Sequence, residues 1–265
     1  MKVFKILAVI FLLFLAPHIF ASSQQAYQDY LFQFDTYRQK YSEFTVAKNE
    51  YLKFKTLTSQ TTALEKTIAM LSSRDLLLRS YLLLLNEKLN EDRGLVLTER
   101  QTYQTLINNE VIFLEDHSRL VGSIGSLDDA DHASGQLASH YTVLGASVRQ
   151  TIGGITLGQL AVLAKEFDTT LASARALSDS NRGTFPPQKQ ATIDRWLLQI
   201  ANIRSLYQQK IEQIVSTNNT FNGNTLDIQN RNLSDLKKNV SEARAYLLDG
   251  TRFLQELVES LRYNN

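Results

Sequence analysis

Between Leu226 and Leu261 two apolar rows run in register. Leu226, Leu233, Val240, Leu247, Leu254 and Leu261 fall at strict sevens, and Leu236, Ala243, Gly250 and Leu257 fall at sevens between them. A paired seven-residue period is the seam of a helix built to lie against another helix, and a strand, which alternates every second residue, has no use for it. The same spacing recurs upstream as Leu64, Leu71, Leu78 and Leu85 with Ile68, Leu82 and Leu89, and again as Ile193, Ile200, Tyr207 and Ile214 with Trp196, Ile203 and Ile211. Period-two alternation is nowhere sustained. The expected fold class is therefore all-α, an elongated antiparallel helical bundle with long coiled-coil-like helices. Each leucine buried along such a seam contributes about 1.5–3 kcal/mol before entropy, so cohesion needs no metal or ligand. Ala243 and Gly250 in the last seam imply close helix approach.

Glycine and proline punctuate the chain unevenly. Residues 1–93 hold no glycine, whereas Gly122, Gly125, Gly135, Gly145, Gly153, Gly154 and Gly158 crowd the middle. Tyr27, Tyr30, Phe34, Tyr37, Tyr41, Phe44, Ala47, Tyr51, Phe54 and Leu57 step by threes and fours, which predicts a helix face running into the leucine heptads. Across Thr56–Thr62 two readings stand: one continuous helix over 23–90, favoured by the unbroken apolar track, or a helical hairpin whose second helix opens at a Thr62/Glu65 capping box. Glu91–Gly94 is the next break, followed by a helix opened by a Thr98/Gln101 capping box, with Leu106, Phe113 and Leu120 inward. After Gly122–Ser126, the acidic first turn of Asp128, Asp129 and Asp131 suits a helix N-terminus. Gly153 and Gly154 in that helix mark a bend or a close backbone approach, since two interior glycines cost about 2 kcal/mol relative to alanine. Asn181, Gly183, Pro186 and Pro187 stop one helix and start another, and Asn218–Thr225 is the last loop. The expected organisation is a leader over 1–21 and one helical bundle domain over 22–265, comprising the segment 23–90, Gly-rich central helices over 98–181 and a C-terminal helical pair over 187–262.

The leader follows from Lys2 and Lys5, the apolar run Ile6–Ala16, Pro17 and a small residue at Ala21, the grammar of a secretory signal cleaved after Ala21. An uncleaved anchor is the competing reading. Removal of Lys2 and Lys5 takes the formal charge from +1 to −1. Near-balanced charge gives no electrostatic case for nucleic acid as a partner. The chain has no cysteine, which excludes disulfides, thiolate metal sites and cysteine nucleophiles.

Residues for chemistry are sparse. Beyond His18 in the leader, the histidines are His117, His132 and His140, and the densest grouping joins Asp128, Asp129, Asp131, His132 and His140 with Glu115, Asp116 and His117. Oxygen-rich sets take hard cations, but acidic residues at a helix start need no metal to explain them, and neither a Glu-x-x-His pairing nor His-Glu-x-x-His is present. No Gly-x-Ser-x-Gly elbow or phosphate-cradling glycine loop occurs. The sequence therefore nominates no catalytic, cofactor or metal residue, and no cofactor. Asp75, set in the seam between Ile68 and Leu82, reads as a register-fixing residue or one that faces a basic group.

Two stretches stand out. The rings between Tyr27 and Phe54 read first as a core built with large side chains, and alternatively as a surface for a partner helix or polymer, which requires Tyr30, Tyr37 and Tyr41 to be open to solvent. Val143–Ala164, with Gly154 and Gly158 at small-x-x-x-small spacing, reads as tight helix packing, or as a concealed membrane-active hairpin against which Arg149 argues. Asn218, Asn232 and Asn239 lie in Asn-x-Ser/Thr triplets. By elimination the expected function is an exported, non-enzymatic binding or scaffold module, extracytoplasmic, with a protein partner or a second copy as its target and membrane contact only through an uncleaved leader. A helical ligand-binding or sensor module and a secreted pore former are the alternatives.

Overall fold

The computed structural model describes residues 21–262. Apart from Ala21, the leader lies outside the described residues. Among the described residues six α-helices follow one another: α1 (Ala21–Phe54), α2 (Leu57–Glu91), α3 (Leu97–Gly122), α4 (Leu127–Asn181), α5 (Pro187–Asn218) and α6 (Leu226–Arg262), with a 3-10 turn, Arg182–Thr184, before α5. No strand is present among the described residues. Packing divides the expected span 22–265 into two units, one holding the described residues up to Lys88 with Ser118–Ala130, the other Leu89–His117 with Asp131 onward.

In the first unit α1 and α2 form an antiparallel hairpin. Ser22 Oγ donates to Glu87 at 2.8 Å, Lys88 Nζ donates to Ser23 Oγ at 2.8 Å, the Tyr30 and Tyr81 rings lie 5.3 Å apart, and Lys66 Nζ meets Glu43 at 2.9 Å. These pairs all mirror about residue 55. The continuous helix expected over 23–90 is thus replaced by the hairpin, and its break lies at Lys55–Thr56 rather than at Thr62. Lys55 takes the left-handed conformation (φ 49) that closes a helix end, its N–H bonding to the Tyr51 carbonyl at 2.9 Å. Thr56 and Ser59 then cap α2 reciprocally. Ser59 N–H donates to Thr56 Oγ1 at 3.2 Å and Thr56 N–H to Ser59 Oγ at 3.0 Å, a capping box with serine in the usual Glu/Gln place. Further along α2, Leu71, Leu82, Leu85 and Leu89 are buried as the heptads require. Asp75 is buried among them, and its charge supports the neighbouring Arg74 guanidinium, which burial pushes below its ordinary value.

The 55-residue α4, about 80 Å long at 1.5 Å per residue, belongs to the second unit from Asp131 onward and is its central element. The helix runs without interruption through Gly153 and Gly154, and the structure shows the close backbone approach that was one of the two readings for them. A Cβ on Gly153 would land on the Asn218 amide, one on Gly154 in the Tyr103 ring, and one on Gly158 on the Asp92 carboxylate. Asp92 is held for this role in the α2–α3 loop, its Oδ1 accepting from Gly94 and Leu95 N–H at 2.8 Å each. The Thr98/Gln101 box is also not formed: α3 starts a residue earlier, with Arg100 N–H bonding back to the Val96 carbonyl at 3.0 Å.

Farther along, α4, α5 and α6 share one core. Tyr207 Oη donates to the Leu160 carbonyl at 3.0 Å and Arg204 forks onto Asp168 at 2.8 and 2.9 Å, running α5 antiparallel to α4. Trp196 stacks near Phe253 at 5.7 Å and Lys210 reaches Glu242 at 2.6 Å, running α6 antiparallel to α5. Ile193, Ile200, Tyr207 and Ile214 are all buried, as their spacing requires, and so are Leu236, Ala243, Leu247, Gly250, Leu254, Leu257 and Leu261. A Cβ on Gly250 would stand 3.1 Å from the Phe167 ring, so this layer is the close contact expected of it. At the start of α6 the fully buried layer is polar. Gln229 accepts from Arg149 at 3.0 Å and donates to the Thr142 and Asn224 carbonyls at 3.0 Å each.

Candidate functional site

The rings of α1 follow from its heptads. Ser23 and Ala47 are its buried side chains among the described residues, and Tyr30, Tyr37, Phe44 and Tyr51 continue the row of Ser23 at sevens. Tyr30, Tyr37, Phe44 and Tyr51 are half-buried beside α2. Tyr27, Phe34 and Tyr41, at sevens on the next row, are 46%, 40% and 51% exposed. The rings divide between the two readings: of the three that the surface reading requires open, Tyr41 is exposed while Tyr30 and Tyr37 are half-buried, so only the row Tyr27, Phe34 and Tyr41 departs from the expected core and forms an edge.

The rings form two ladders, Tyr27–Tyr30–Phe34 and Tyr37–Tyr41–Phe44. Centroid separations are 6.5 Å for Tyr27–Tyr30, 6.3 Å for Tyr30–Phe34, 5.9 Å for Tyr37–Tyr41 and 6.1 Å for Tyr41–Phe44, each pair tilted as the ring quadrupoles favour. Tyr81 of α2 extends the first of them, and burial raises that phenol above its ordinary value. Cations lie over the rings, Arg38 at 5.9 Å from the Phe34 centroid, Lys48 at 5.7 Å from Phe44 and Lys53 at 4.9 Å from Phe54. Phe32 stands off the ladders on the outer face, 68% exposed. Exposed rings with neighbouring guanidinium and ammonium groups are side chains of the kind that anchor protein interfaces.

The second unit holds the most concentrated polar chemistry. The inward face of α3 is not Leu106, Phe113 and Leu120, which are half-buried, but the row one residue later: Ile107, Leu114 and Val121, with Glu110 and His117 in the same buried stripe. Glu110 Oε2 accepts from His140 Nε2 at 2.6 Å and its Oε1 from Ser147 Oγ at 2.9 Å, while the His140 ring stacks on Phe113 at 3.6 Å. A histidine, a carboxylate and a serine thus meet, but Ser147 and His140 each bond a different oxygen of one carboxylate. The serine proton goes to the acid and not to an imidazole base, which is the geometry of a satisfied buried layer rather than of a poised nucleophile. Sequence reading missed Glu110 because its signal, a carboxylate in phase with Ile107 and Leu114, is hidden when the stripe is placed one residue away.

The remaining candidate ligands are dispersed. His117 Nε2 lies 2.9 Å from the Ala133 carbonyl and His132 pairs with Gln136 at 3.3 Å. Asp129 accepts from Gly125 N–H at 3.2 Å, and its own N–H donates to Ser126 Oγ at 3.1 Å, so it caps α4. Among the described residues no three His, Asp or Glu side chains converge as a metal site. No helix there is long and apolar enough to cross a membrane, the Val143–Ala164 stretch included. Of the three glycosylation triplets, Asn218 is buried, its Nδ2 donating to Tyr103 Oη at 3.1 Å.

A groove of about 760 Å³ runs between α4 and α6, floored by Phe167, Leu247 and Leu254 and edged by Arg244, Glu166 and Arg262. Comparison of the chain with protein-family models, curated proteins and solved structures returns no match.

Proposed function

We propose that the chain is an exported, non-enzymatic helical module that works outside the cytoplasm by presenting the aromatic edge of α1 to a protein partner. The observation that carries this reading is that Tyr27, Phe34 and Tyr41 stand open in one row on a helix whose buried side chains among the described residues are Ser23 and Ala47 alone. Rigid rings on a helix lose little side-chain entropy on contact and bury large area, which is how helix faces serve as docking surfaces. The leader grammar of residues 1–21 supports export. Two experiments test the reading. N-terminal sequencing of exported material is expected to begin at Ser22, and a start at Met1 rejects cleavage. Photo-crosslinkers placed at Tyr41 and, as control, at Asn49 are expected to give an adduct from Tyr41 alone on intact producer cells; equal labelling from both positions rejects the edge as a surface.

The groove between α4 and α6 favours a second reading, a ligand-binding module, because its apolar floor is rimmed by charges of both signs, Arg244 and Arg262 with Glu166 and Glu259, and so suits an amphiphilic molecule. A rise in melting temperature with such a compound, abolished by Arg244→Ala, supports it.

A further inference from the structure

The connection between α5 and α6 holds the single Asn-Gly pair of the chain, Asn222-Gly223. The pair stands in a turn that is clamped on both sides. Phe221, just before it, is fully buried, and the carbonyl of Asn224, just after it, accepts from the buried Gln229 Nε2 at 3.0 Å. Between these anchors Asn222 and Gly223 are exposed. Gly223 takes φ 76, the left-handed region that favours glycine, and a Cβ built on it would meet no atom within 4 Å. Among the described residues its N–H enters no hydrogen bond. The Asn222 carboxamide donates through Nδ2 to Gln150 Oε1 at 3.0 Å.

We propose that Asn222 is a site of spontaneous covalent modification, at which the chain closes to a succinimide and water, the co-reactant, opens it to aspartate and isoaspartate. The Gly223 nitrogen attacks Asn222 Cγ. The N–Cγ bond forms, the Cγ–Nδ2 bond breaks, and the proton of the Gly223 N–H departs with the carboxamide nitrogen as ammonia. Water then adds to either carbonyl of the five-membered imide and cleaves its bond to nitrogen. A neutral carboxamide thus becomes a carboxylate, and nothing is oxidised or reduced. Neither the aromatic edge of α1 nor the groove between α4 and α6 takes part.

Two conditions govern ring closure. The attacking N–H has to be free, since inside a helix it is spent on the carbonyl four residues back. The residue that carries it has to lack a side chain that obstructs the approach. Asn222-Gly223 meets both. In the same connection Asn219-Thr220 and Asn224-Thr225 place a β-branched residue after the asparagine, and the Thr220 N–H is bonded to the Thr217 carbonyl at 3.1 Å. Asp249-Gly250, which can close to the same imide, lies inside α6 with Gly250 buried against Phe167. The product changes the turn. A carboxylate at position 222 has no donor for Gln150 Oε1. Isoaspartate also adds a carbon to the main chain between Phe221 and Asn224, which the core holds in place. The modified turn is therefore looser than the original.

Timed incubation of the purified chain in mildly alkaline buffer, followed by peptide mapping with mass spectrometry, decides it. The peptide that holds Asn222 is expected to gain about 1 Da and to split into aspartyl and isoaspartyl forms, at a rate at least about tenfold above that at Asn219 or Asn224. Asn222→Gln, whose longer side chain closes a larger ring, is expected to abolish the product, and Gly223→Ala to slow it at least about tenfold. Circular dichroism of each variant confirms that it is folded. The aged wild type is expected to lose hydrogen-exchange protection across 217–229, and aged Asn222→Gln to keep it. An Asn222 peptide that keeps its mass, or equal rates at Asn222, Asn219 and Asn224, overturns the proposal. Modification with protection unchanged overturns the effect on the turn.

Discussion

Glu110 is the residue whose replacement has the most computable cost. Its carboxylate is 4% exposed and carries two partners, His140 at 2.6 Å and Ser147 at 2.9 Å, of which the histidine side chain is 25% exposed and the serine is buried. Glu110→Gln keeps the shape and one acceptor for Ser147 but gives up the charge on the His140 bond. Hydrogen bonds to charged groups contribute about 1.5–3 kcal/mol, so a loss near 2 kcal/mol is expected. Glu110→Ala leaves both partners without their acceptor and opens a cavity, which raises the expected cost to about 3–4 kcal/mol. For a chain of this size each kcal/mol corresponds to roughly 2–4 °C in Tm, so the glutamine variant should melt about 4–8 °C lower. The pair is isolated by a double-mutant cycle with His140→Phe, which keeps a ring stacked on Phe113. Urea unfolding followed by circular dichroism is expected to give a Glu110–His140 coupling above about 1 kcal/mol. A coupling under about 0.5 kcal/mol would falsify the argument that this carboxylate is held by its partners, and would make the short contact incidental.

Three further outcomes follow from the same geometry. In α4, Gly135→Ala meets open space and is expected to stabilise by about 0.5–1 kcal/mol, whereas Gly158→Ala drives a methyl onto the Asp92 carboxylate and should destabilise by about 1–3 kcal/mol; equal signs in a thermal melt refute the close-approach reading. Lys55→Gly relieves a left-handed non-glycine residue and should leave the hairpin unchanged or up to about 1 kcal/mol more stable, while Lys55→Val, β-branched at positive φ, should cost more than 1 kcal/mol. Hydrogen bonds from Lys66 and Lys40 hold Glu43 below the ordinary carboxylate value, and Lys210 does the same for Glu242. Because these folded-state values are depressed, their stabilisation is present above the ordinary carboxylate pKa and fades as pH falls through the lower, folded value. Replacing both with glutamine should flatten the acid limb of a Tm-against-pH curve, and an unchanged limb rejects the assignment.

The helices themselves are written locally. The sevens of Ile193, Ile200, Tyr207 and Ile214, and those of Leu236 to Leu261, needed no partner to be recognised, because helix periodicity is a property of neighbours three and four residues apart. The Pro187 start of α5 belongs to the same class, since its missing N–H is tolerable only in a first turn. What depends on contacts distant in sequence was not legible. The α1–α2 turn contains no glycine, proline or asparagine; its signals are a strained lysine and a serine-for-glutamate box, and it exists because Tyr30 can meet Tyr81 and Glu43 can meet Lys66 once the chain reverses. The glycines of α4 read as a bend or a close approach because their cost is local, whereas the approach that decides between the two comes from Tyr103, Asp92 and Asn218 in three other segments. The fate of the aromatic rows was decided in the same way. Periodicity states that Tyr27, Phe34 and Tyr41 share a side of a helix, but whether that side is core or surface depends on how many neighbours the helix acquires, and that is settled only when the elements pack.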